Sequence, residues 1–178
     1  MQSAVVGVLP TDTVYGLVAR AFDPAAVARL YQLKSRESKP GTVIAASIEQ
    51  LVALGIKRRY LTAVSRYWPG AVSVVVPCSD DLAYLHLGLV GLAVRIPDDG
   101  ALLKLLETTG PLLTSSANHP GKPTAVTVAQ AQTYFASKVD FYEEGGDLSH
   151  RRSSTVIRIV DDAVEVLRAG TVSISNDV

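Results

Sequence analysis

A chain of 178 residues, 48% of them hydrophobic, is long enough to bury its own core, because a domain of this size hides about 70% of its unfolded surface. Its 17 Lys and Arg residues are balanced by 17 Asp and Glu residues, which argues against nucleic-acid binding through bulk positive charge. The single cysteine, Cys78, excludes an intramolecular disulfide and a cysteine-rich zinc site.

The sequence predicts a cytoplasmic protein with one domain. Its first ten residues, MQSAVVGVLP, lack the basic segment of a signal peptide, and no apolar run approaches the ~20 residues that cross a bilayer. We therefore expect no membrane partner. No repeat or low-complexity linker divides the chain, so residues 1–178 are predicted to form a single domain without a C-terminal accessory domain.

Strands and helices are predicted to alternate along the chain. Apolar, β-branched runs that stop at proline or polar residues predict strands, and apolar residues at helical spacing predict helices. The predicted strands are residues 4–9, 42–46, 71–76, 91–96, 112–114, 154–160 and 163–167. The predicted helices are residues 23–33, 48–54, 58–67, 98–108 and 127–137. This alternation indicates an α/β fold, and the closing hairpin favours a mixed sheet over a purely parallel one.

The first of three polar clusters follows the first predicted strand. Thr11, Asp12 and Thr13 lie between Pro10 and Gly16. Polar groups at the end of a strand are well placed to bind a small polar ligand in α/β proteins. A capped turn explains the same residues without a ligand, and the spacing alone leaves both interpretations open.

The second polar cluster is basic and follows the first predicted helix. It consists of Lys34 and Arg36, with Lys39 close behind. Two cations two residues apart outside a helix can converge on a phosphate, lysine as a point charge and arginine as a planar fork. The alternative is that they simply complement the negative end of the helix dipole.

The third polar cluster, residues 114–124, follows a short predicted strand and reads TSSANHPGKPT. Its hydroxyls, amide and glycine could hold phosphate or ribose oxygens. The spacing of a P-loop is absent, and a polar loop that caps the next helix is the alternative. Ser115 and Ser116 also lack the Gly-x-Ser-x-Gly context of a hydrolase nucleophile.

Two arginines and three histidines complete the polar candidates. Arg95 and Arg168 end apolar strands, where a guanidinium needs a partner or a cleft, so both are predicted to line the site. The histidines lie far apart without the spacing of metal ligands, and no metal site is predicted from them; they are His86, His119 and His150.

Together these clusters resemble the YrdC/TsaC family of threonylcarbamoyl-adenylate synthases. The matching segments occur in family order and cover nearly the whole chain. They are PTDTVYGL (10–17), the Lys-x-Arg pair (34 and 36), WPGAVSVVVP (68–77), LAVRIPD (92–98), LLTSSANHPGKPT (112–124), GG (145–146), SSTVIRI (153–159) and LRAG (167–170). Each segment is a weak signal alone, and eight in order are a strong one.

The resemblance implies a fold and a reaction. The fold is a YrdC-like α/β domain, an open, twisted, mixed sheet with helices, curled around a deep polar groove. The reaction is that of an ATP-using nucleotidyltransferase. It condenses L-threonine with bicarbonate and transfers the carbamate to the α-phosphate of ATP, releasing pyrophosphate. The product serves N6-threonylcarbamoyladenosine formation at tRNA position 37 through a downstream threonylcarbamoyl-transferase complex, and Mg²⁺ is expected to arrive with ATP.

Residue roles follow from the same resemblance. It implies catalytic roles at the phosphates for Lys34 and Arg36, which would also bind ATP. It implies further ATP contacts at Ser116, Asn118, Ser154 and Arg168. It implies threonine contacts at Thr11, Thr13, Arg95 and Ser115. It implies no metal ligand in the protein.

The sequence departs from the family pattern in several places, and two alternatives remain. Residues 37–40 read ESKP where proline usually follows the Lys-x-Arg pair sooner, and LRAG replaces the commoner LRPG. From the short N-terminal lead-in we expect the preceding helix common in the family to be missing. One alternative is the non-catalytic YciO-like branch, which usually lacks the Lys-x-Arg and Ser-x-Asn pairs. The other is a double-stranded RNA-binding module, against which zero net charge argues, while leaving room for weak tRNA contact.

Overall fold

The computed structural model describes residues 4–35, 39–161 and 163–174. The strands are β1 (Val6–Pro10), β2 (Tyr15–Arg20), β3 (Thr42–Ile44), β4 (Val72–Pro77), β5 (Gly91–Arg95), β6 (Leu112–Ser116), β7 (Phe141–Tyr142), β8 (Thr155–Val160) and β9 (Ala163–Arg168). The helices are α1 (Pro24–Leu33), α2 (Ile48–Leu54), α3 (Arg58–Ala63), α4 (Ala83–His86), α5 (Gly100–Thr109) and α6 (Val128–Phe135). Within these ranges, no helix has the length and apolar character needed to cross a membrane.

The described strands form one mixed, open sheet in the order β7-β1-β2-β6-β3-β5-β4-β8-β9. Three neighbouring pairs are parallel, namely β1–β7, β3–β5 and β4–β8. The other pairs are antiparallel, including the terminal hairpin of β8 and β9. The predicted α/β class and mixed sheet are confirmed, and the sheet is open because β7 and β9 lie at opposite edges.

Strand β2 lies near the middle of the sheet and was not predicted from the sequence. Five of its six residues are buried, so the strand lacks the polar–apolar alternation that marks a half-exposed strand. Gly16 at its second position also resembles a turn residue. The register sets Gly16 opposite Ser116 and Leu17 opposite Ser115, which makes the first and third polar clusters neighbours.

The predicted elements are otherwise found with shifted ends. Strand β6 extends to Ser116, so two residues expected in a loop belong to the strand. The predicted helix at residues 58–67 divides into α3 and a 3₁₀ turn, Ser65–Tyr67. The short β7 and α4 were not predicted. Aspartates begin two helices: Asp23 and Asp99 each accept two backbone N–H groups at 3.0 Å, as expected for N-caps.

Alternating strand residues build two apolar cores on opposite faces of the sheet. The larger core includes the fully buried Leu17, Val43, Val94 and Leu113, and α1, α2, α3, α4 and α6 contribute side chains to it. The smaller core lies under α5 and consists of Leu9, Val18, Ile44, Leu102, Leu106 and Leu112. Helix α5 therefore covers only part of the second face, and polar residues occupy the strands beyond it.

Candidate functional site

A polar groove lies on the second face of the sheet, next to the area under α5. Gly16, Thr114 and Thr42 belong to neighbouring strands and line it. Its cavity has a volume of about 90 Å³. Seven of the predicted site residues line this cavity, and they are Thr11, Thr13, Arg95, Ser115, Ser116, Ser154 and Arg168.

Two more predicted residues reach the groove through Ser116. Lys34 and Asn118 both contact it, although they come from the end of α1 and from the loop after β6. Arg36, the second cation of the Lys-x-Arg pair, lies outside the described residues, as do residues 37 and 38 of the altered loop. The structure therefore brings nine of the ten predicted residues into one region.

Lys34 is nearly fully buried, with 2% of its surface exposed. Its ammonium donates to the backbone oxygen of Ser116 at 2.7 Å and to Asn118 Oδ1 at 2.7 Å, and it also donates to the Asn118 backbone oxygen. These acceptors are uncharged oxygens, and together they orient the ammonium. The side chain reaches a loop more than 80 positions away, which the simple helix-dipole interpretation does not explain.

The Ser-x-Asn loop is organised around this lysine. Ser116 Oγ donates to Asn118 Oδ1 at 2.8 Å, and Asn118 Nδ2 donates to the backbone oxygen of Lys122 at 2.6 Å. Asn118 Oδ1 thus accepts from both Ser116 and Lys34. Lys34 of the second cluster thus forms one hydrogen-bonded unit with the third cluster at the end of β6.

Arg95 forms a buried ion pair with Asp12. The Nη2–Oδ1 distance is 2.8 Å, and the two side chains are 3% and 4% exposed. Arg95 Nη1 also lies 3.5 Å from Ser73 Oγ. Burial raises the pKa of Asp12 and lowers the pKa of Arg95, while their mutual attraction opposes both shifts. Arg95 therefore has a charged partner and also lines the groove cavity.

Three buried polar atoms in this region have no hydrogen-bond partner among the described residues: Asp12 Oδ2, Arg95 Nε and Ser115 Oγ. Leaving such a group unpaired costs about 1–3 kcal/mol, and buried polar groups normally have partners. Arg95 and Ser115 line the groove cavity. A ligand with both hydrogen-bond donors and acceptors, or ordered water, would satisfy these atoms.

The far wall of the groove is a hydrogen-bonded chain between β4, β8 and β9. Arg168 Nη2 donates to the Ser154 backbone oxygen at 2.8 Å and to Ser154 Oγ at 3.1 Å. The Ser154 and Ser73 hydroxyls lie 3.0 Å apart. Ser73 was missed from the sequence, although it is the single polar residue of the strand VSVVVP and so marks a polar spot on one face.

The residues of the first cluster form a capped turn that borders the groove. Thr11 Oγ1 accepts from the backbone N–H groups of Thr13 and Val14 at 3.2 Å and donates to the Val14 oxygen at 2.7 Å. Thr11 therefore caps the turn. The Thr13 hydroxyl lies 3.0 Å from it, and both residues line the cavity.

Strand register explains further lining residues that the sequence did not indicate. Thr42 and Thr114 are opposite each other on β3 and β6, and both face the groove. A side chain at Gly16 would meet Thr114 Oγ1 at 2.5 Å, so the glycine leaves room for that hydroxyl. Strand alternation could have revealed these threonines only if β2 had been recognised as the neighbour of β6.

A second, larger cavity of about 1250 Å³ lies beside α5. Its walls are largely apolar and include Leu9, Phe22, Leu105 and Phe141, while Thr11 is shared with the groove. The unpartnered atoms of Arg95 and Ser115 belong to the groove, and so does the Lys34 unit. We therefore assign the chemistry to the groove despite its smaller volume.

The described residues contain no group of three or more His, Cys, Asp or Glu placed to hold a metal ion. His86 is fully buried, lies 3.1 Å from the Ser79 oxygen and accepts from the Val90 N–H. His119 makes edge contacts with the rings of Tyr134 and Phe135. The contacts of these two histidines are therefore of the kind that stabilises the fold.

Known proteins match most of the chain. A putative threonylcarbamoyl-AMP synthase of Mycobacterium leprae is 38% identical over 177 residues, covering 94% of this chain and 78% of the relative. The threonylcarbamoyl-AMP synthase of Bacillus subtilis is 34% identical over 170 residues, covering 92% of this chain but 49% of the relative. The solved structure of Pyrococcus abyssi Sua5 complexed with L-threonine has a TM-score of 0.82 at 33% identity, covering 94% of this chain and 51% of that one.

The chain thus spans about half the length of the B. subtilis and P. abyssi proteins. The model of the Sua5/YciO/YrdC family, described as "Telomere recombination", matches residues 1–170. This match covers all nine of the predicted site residues that the structure brings together, as well as Arg36. The chain therefore belongs to the Sua5/YciO/YrdC family.

Proposed function

We propose that this chain is an L-threonylcarbamoyladenylate synthase, a nucleotidyltransferase that makes threonylcarbamoyl-AMP and pyrophosphate from L-threonine, bicarbonate and ATP. The observation that carries the proposal is the buried Lys34 ammonium, oriented by the Ser116–Asn118 loop beside a polar cavity. The M. leprae relative, 78% of which is covered by the match, has this activity in its name and supports the proposal.

The size of the groove cavity suits an amino acid better than a whole nucleotide. Pockets for drug-sized ligands occupy roughly 300–1,000 Å³, whereas this cavity measures about 90 Å³. Arg95 Nε is a buried donor for a carboxylate, and Ser115 Oγ is a buried hydroxyl for a small polar side chain. The P. abyssi structure, which is complexed with L-threonine, supports threonine as the amino acid.

ATP would bind along the open side of the groove. Lys34, Ser116 and Asn118 lie at one end of the groove, and Ser154 and Arg168 lie at its far wall. Two cations separated in this way suit the charge that develops on the phosphoryl oxygens and on the leaving pyrophosphate. Arg36, two residues after Lys34, is proposed as a third cation from the sequence alone.

The reaction proceeds in two steps. The threonine amine and bicarbonate condense to a carbamate with loss of water. A carbamate oxygen then attacks the α-phosphorus of ATP, and the bond to the β-phosphate oxygen breaks to release pyrophosphate. The carbamate is already an anionic nucleophile, so the groove's task is to hold two reactants in line and to balance charge.

Other components of the reaction are proposed from the same chemistry. Mg²⁺ would enter on the triphosphate oxygens as part of the substrate, since the groove offers mainly hydroxyls and guanidinium groups. The product would pass to a threonylcarbamoyl-transferase complex that modifies tRNA, with weak tRNA contact at the synthase itself. We propose the cytoplasm as the compartment of these steps.

The connected Lys34–Ser116–Asn118 unit favours the synthase over the non-catalytic alternatives. The test is to incubate the protein with ATP, Mg²⁺, L-threonine and bicarbonate, to follow pyrophosphate release, and to identify the adenylate by mass. Release should require threonine and bicarbonate together. An equal rate without threonine would indicate another adenylyl transfer or an ATPase, and a folded protein without turnover would favour a YciO-like or RNA-binding role.

A further inference from the structure

Asp12 occupies a position that none of the roles above explains. It lies in the turn between β1 and β2, and its neighbours Thr11 and Thr13 line the groove cavity. Its own side chain is 4% exposed and contacts Arg95 at the end of β5. A buried carboxylate is costly unless it is paired, so its presence here calls for a reason.

The contact between the two side chains is made through one oxygen only. Asp12 Oδ1 accepts from Arg95 Nη2 at 2.8 Å, while Asp12 Oδ2 and Arg95 Nε have no partner among the described residues. A carboxylate that bound the guanidinium through two parallel hydrogen bonds would engage a second donor of Arg95. The single contact with Asp12 fixes the guanidinium at one end, and Nε lies buried without a partner among the described residues.

The arrangement also controls charge. Arg95 lines the cavity, and its positive charge is balanced at close range by Asp12. A neutralised guanidinium gives directed hydrogen bonds without drawing phosphates away from Lys34. Asp99 and Arg151 are the other charged groups that act on Asp12, and they have opposite signs.

We propose that Asp12 is a positioning residue that holds Arg95 so that its free N–H groups face the carboxylate of the amino-acid substrate. This inference rests on the proposed function. Asp12 acts through Arg95, and its removal should therefore affect the use of threonine much more than the use of ATP. Binding made equally in the ground and transition states appears in KM rather than in kcat.

The experiment compares KM values for L-threonine and ATP in wild type, Asp12→Asn, Arg95→Lys and the double variant, with melting temperatures recorded for each. Asp12→Asn should raise KM for threonine at least about tenfold and change KM for ATP less than about threefold. If Asp12 acts only through Arg95, adding Asp12→Asn to Arg95→Lys should have little further effect on KM for threonine, because coupled residues are not additive.

A purely structural role would lower the melting temperature without separating the two KM values, and that result would overturn the proposal. If Asp12→Asn does not fold, Asp12→Glu replaces it. Glutamate keeps the charge and moves it by one methylene, so a positioning role predicts a raised KM for threonine, and an unchanged KM overturns it. A wild type without threonine-dependent turnover would instead refute the proposed function.

Discussion

At the scale of single residues, replacing Lys34 is the strictest test of the proposed phosphate role of the groove. Replacing it by methionine keeps the length of the side chain and removes its charge. Because the charge stabilises a phosphoryl transition state in our account, Lys34→Met should lower the rate of adenylate formation ~10²–10³-fold. Steady-state kinetics measures this, and circular dichroism checks the fold.

Lys104→Met is the matched control for this change. Lys104 is an exposed residue of α5, and its replacement should leave the rate within about twofold of wild type. Equal rates for Lys34→Met and wild type would remove the phosphate role from Lys34. Equal losses in both variants would point to a general effect of removing a lysine.

The Asp12–Arg95 pair predicts a pH dependence in threonine binding. Burial raises the pKa of Asp12 above the ordinary 3.8, with Arg95 opposing the shift. Threonine affinity should therefore fall on acidification, starting at a pH above that of an ordinary aspartate, as protonation weakens the hold on Arg95. Calorimetric titration without bicarbonate measures it, and Asp12→Asn should lack this transition.

The sign of the shift separates this effect from acid unfolding. A raised pKa in the folded state means that the folded protein binds the proton more tightly than the unfolded chain does. Acidification through this range therefore relieves the burial cost of the Asp12 charge instead of unfolding the protein through it. A loss of affinity that coincided with loss of near-ultraviolet circular dichroism would contradict the prediction.

Thr13 and Ser115 predict the choice of amino acid. Serine lacks only a methyl group, which is worth about 1–3 kcal/mol in a pocket, so serine should be a poor but detectable substrate. Valine cannot replace the hydroxyl and would leave the Ser115 hydroxyl unpaired, so it should be worse. Comparison of kcat/KM values tests this, and a better rate with valine than with serine would show an apolar pocket.

The sequence indicated that Arg95 needs a partner, but it did not indicate that the partner is Asp12. A guanidinium at the end of an apolar strand needs a partner, and that need is local information. The partner, Asp12, lies 83 positions earlier in the chain, and the contact forms because the β1–β2 turn meets the end of β5. Ser73 depends in the same way on β4 lying next to β8.

At the scale of secondary structure, residues that end strands or cap helices were strong signals in the sequence. Strands buried on both faces were weak signals. Proline ends the runs at β1 and β4, and aspartate caps α1 and α5, so these elements were predictable. Strand β2 carries no alternation because both of its faces are buried. Without β2, the sequence could not show that the first and third clusters share an edge.

A side chain at Gly170, two residues after β9, is predicted to lower the stability of the protein beside the groove. A side chain there would lie 2.3 Å from the Ser153 oxygen and 2.4 Å from the Thr155 nitrogen, and backbone atoms cannot move aside cheaply. Gly170→Ala should therefore cost about 1–3 kcal/mol, typical of overpacking, and lower the melting temperature by roughly 2–12 °C. Activity should also fall, since Ser154 and Arg168 line the groove.

Gly100→Ala is the matched control for this glycine. A side chain at Gly100, the first residue of α5, meets nothing within 4 Å, and alanine is the better helix former by up to about 1 kcal/mol. The melting temperature should stay the same or rise. Equal destabilisation by both substitutions would mean that the close approach at Gly170 is not what matters.

At the scale of the whole molecule, the two faces of the sheet have different roles. One face is filled by the large core, and the other is divided between the cover of α5 and the polar groove. Two cavities result, and they differ in size by more than tenfold. We propose that the substrate binds in the smaller cavity, because Arg95 and Ser115, which carry buried polar atoms without partners among the described residues, line it.

The most direct test of this assignment compares matched double variants of the two cavities. One carries Thr13→Val and Ser115→Ala in the groove. The other carries Phe22→Ala and Leu105→Ala in the larger cavity, where the two side chains are 55% and 39% exposed. The measurement is KM for L-threonine in adenylate formation, with the melting temperature of each variant as a check on folding.

The groove variant is expected to raise KM for threonine roughly 5–150-fold, because it loses two hydrogen bonds worth about 0.5–1.5 kcal/mol each. The variant of the larger cavity should stay within about twofold of wild type. An unchanged KM in the groove variant, together with a raised KM in the variant of the larger cavity, would contradict the assignment of threonine binding to the groove.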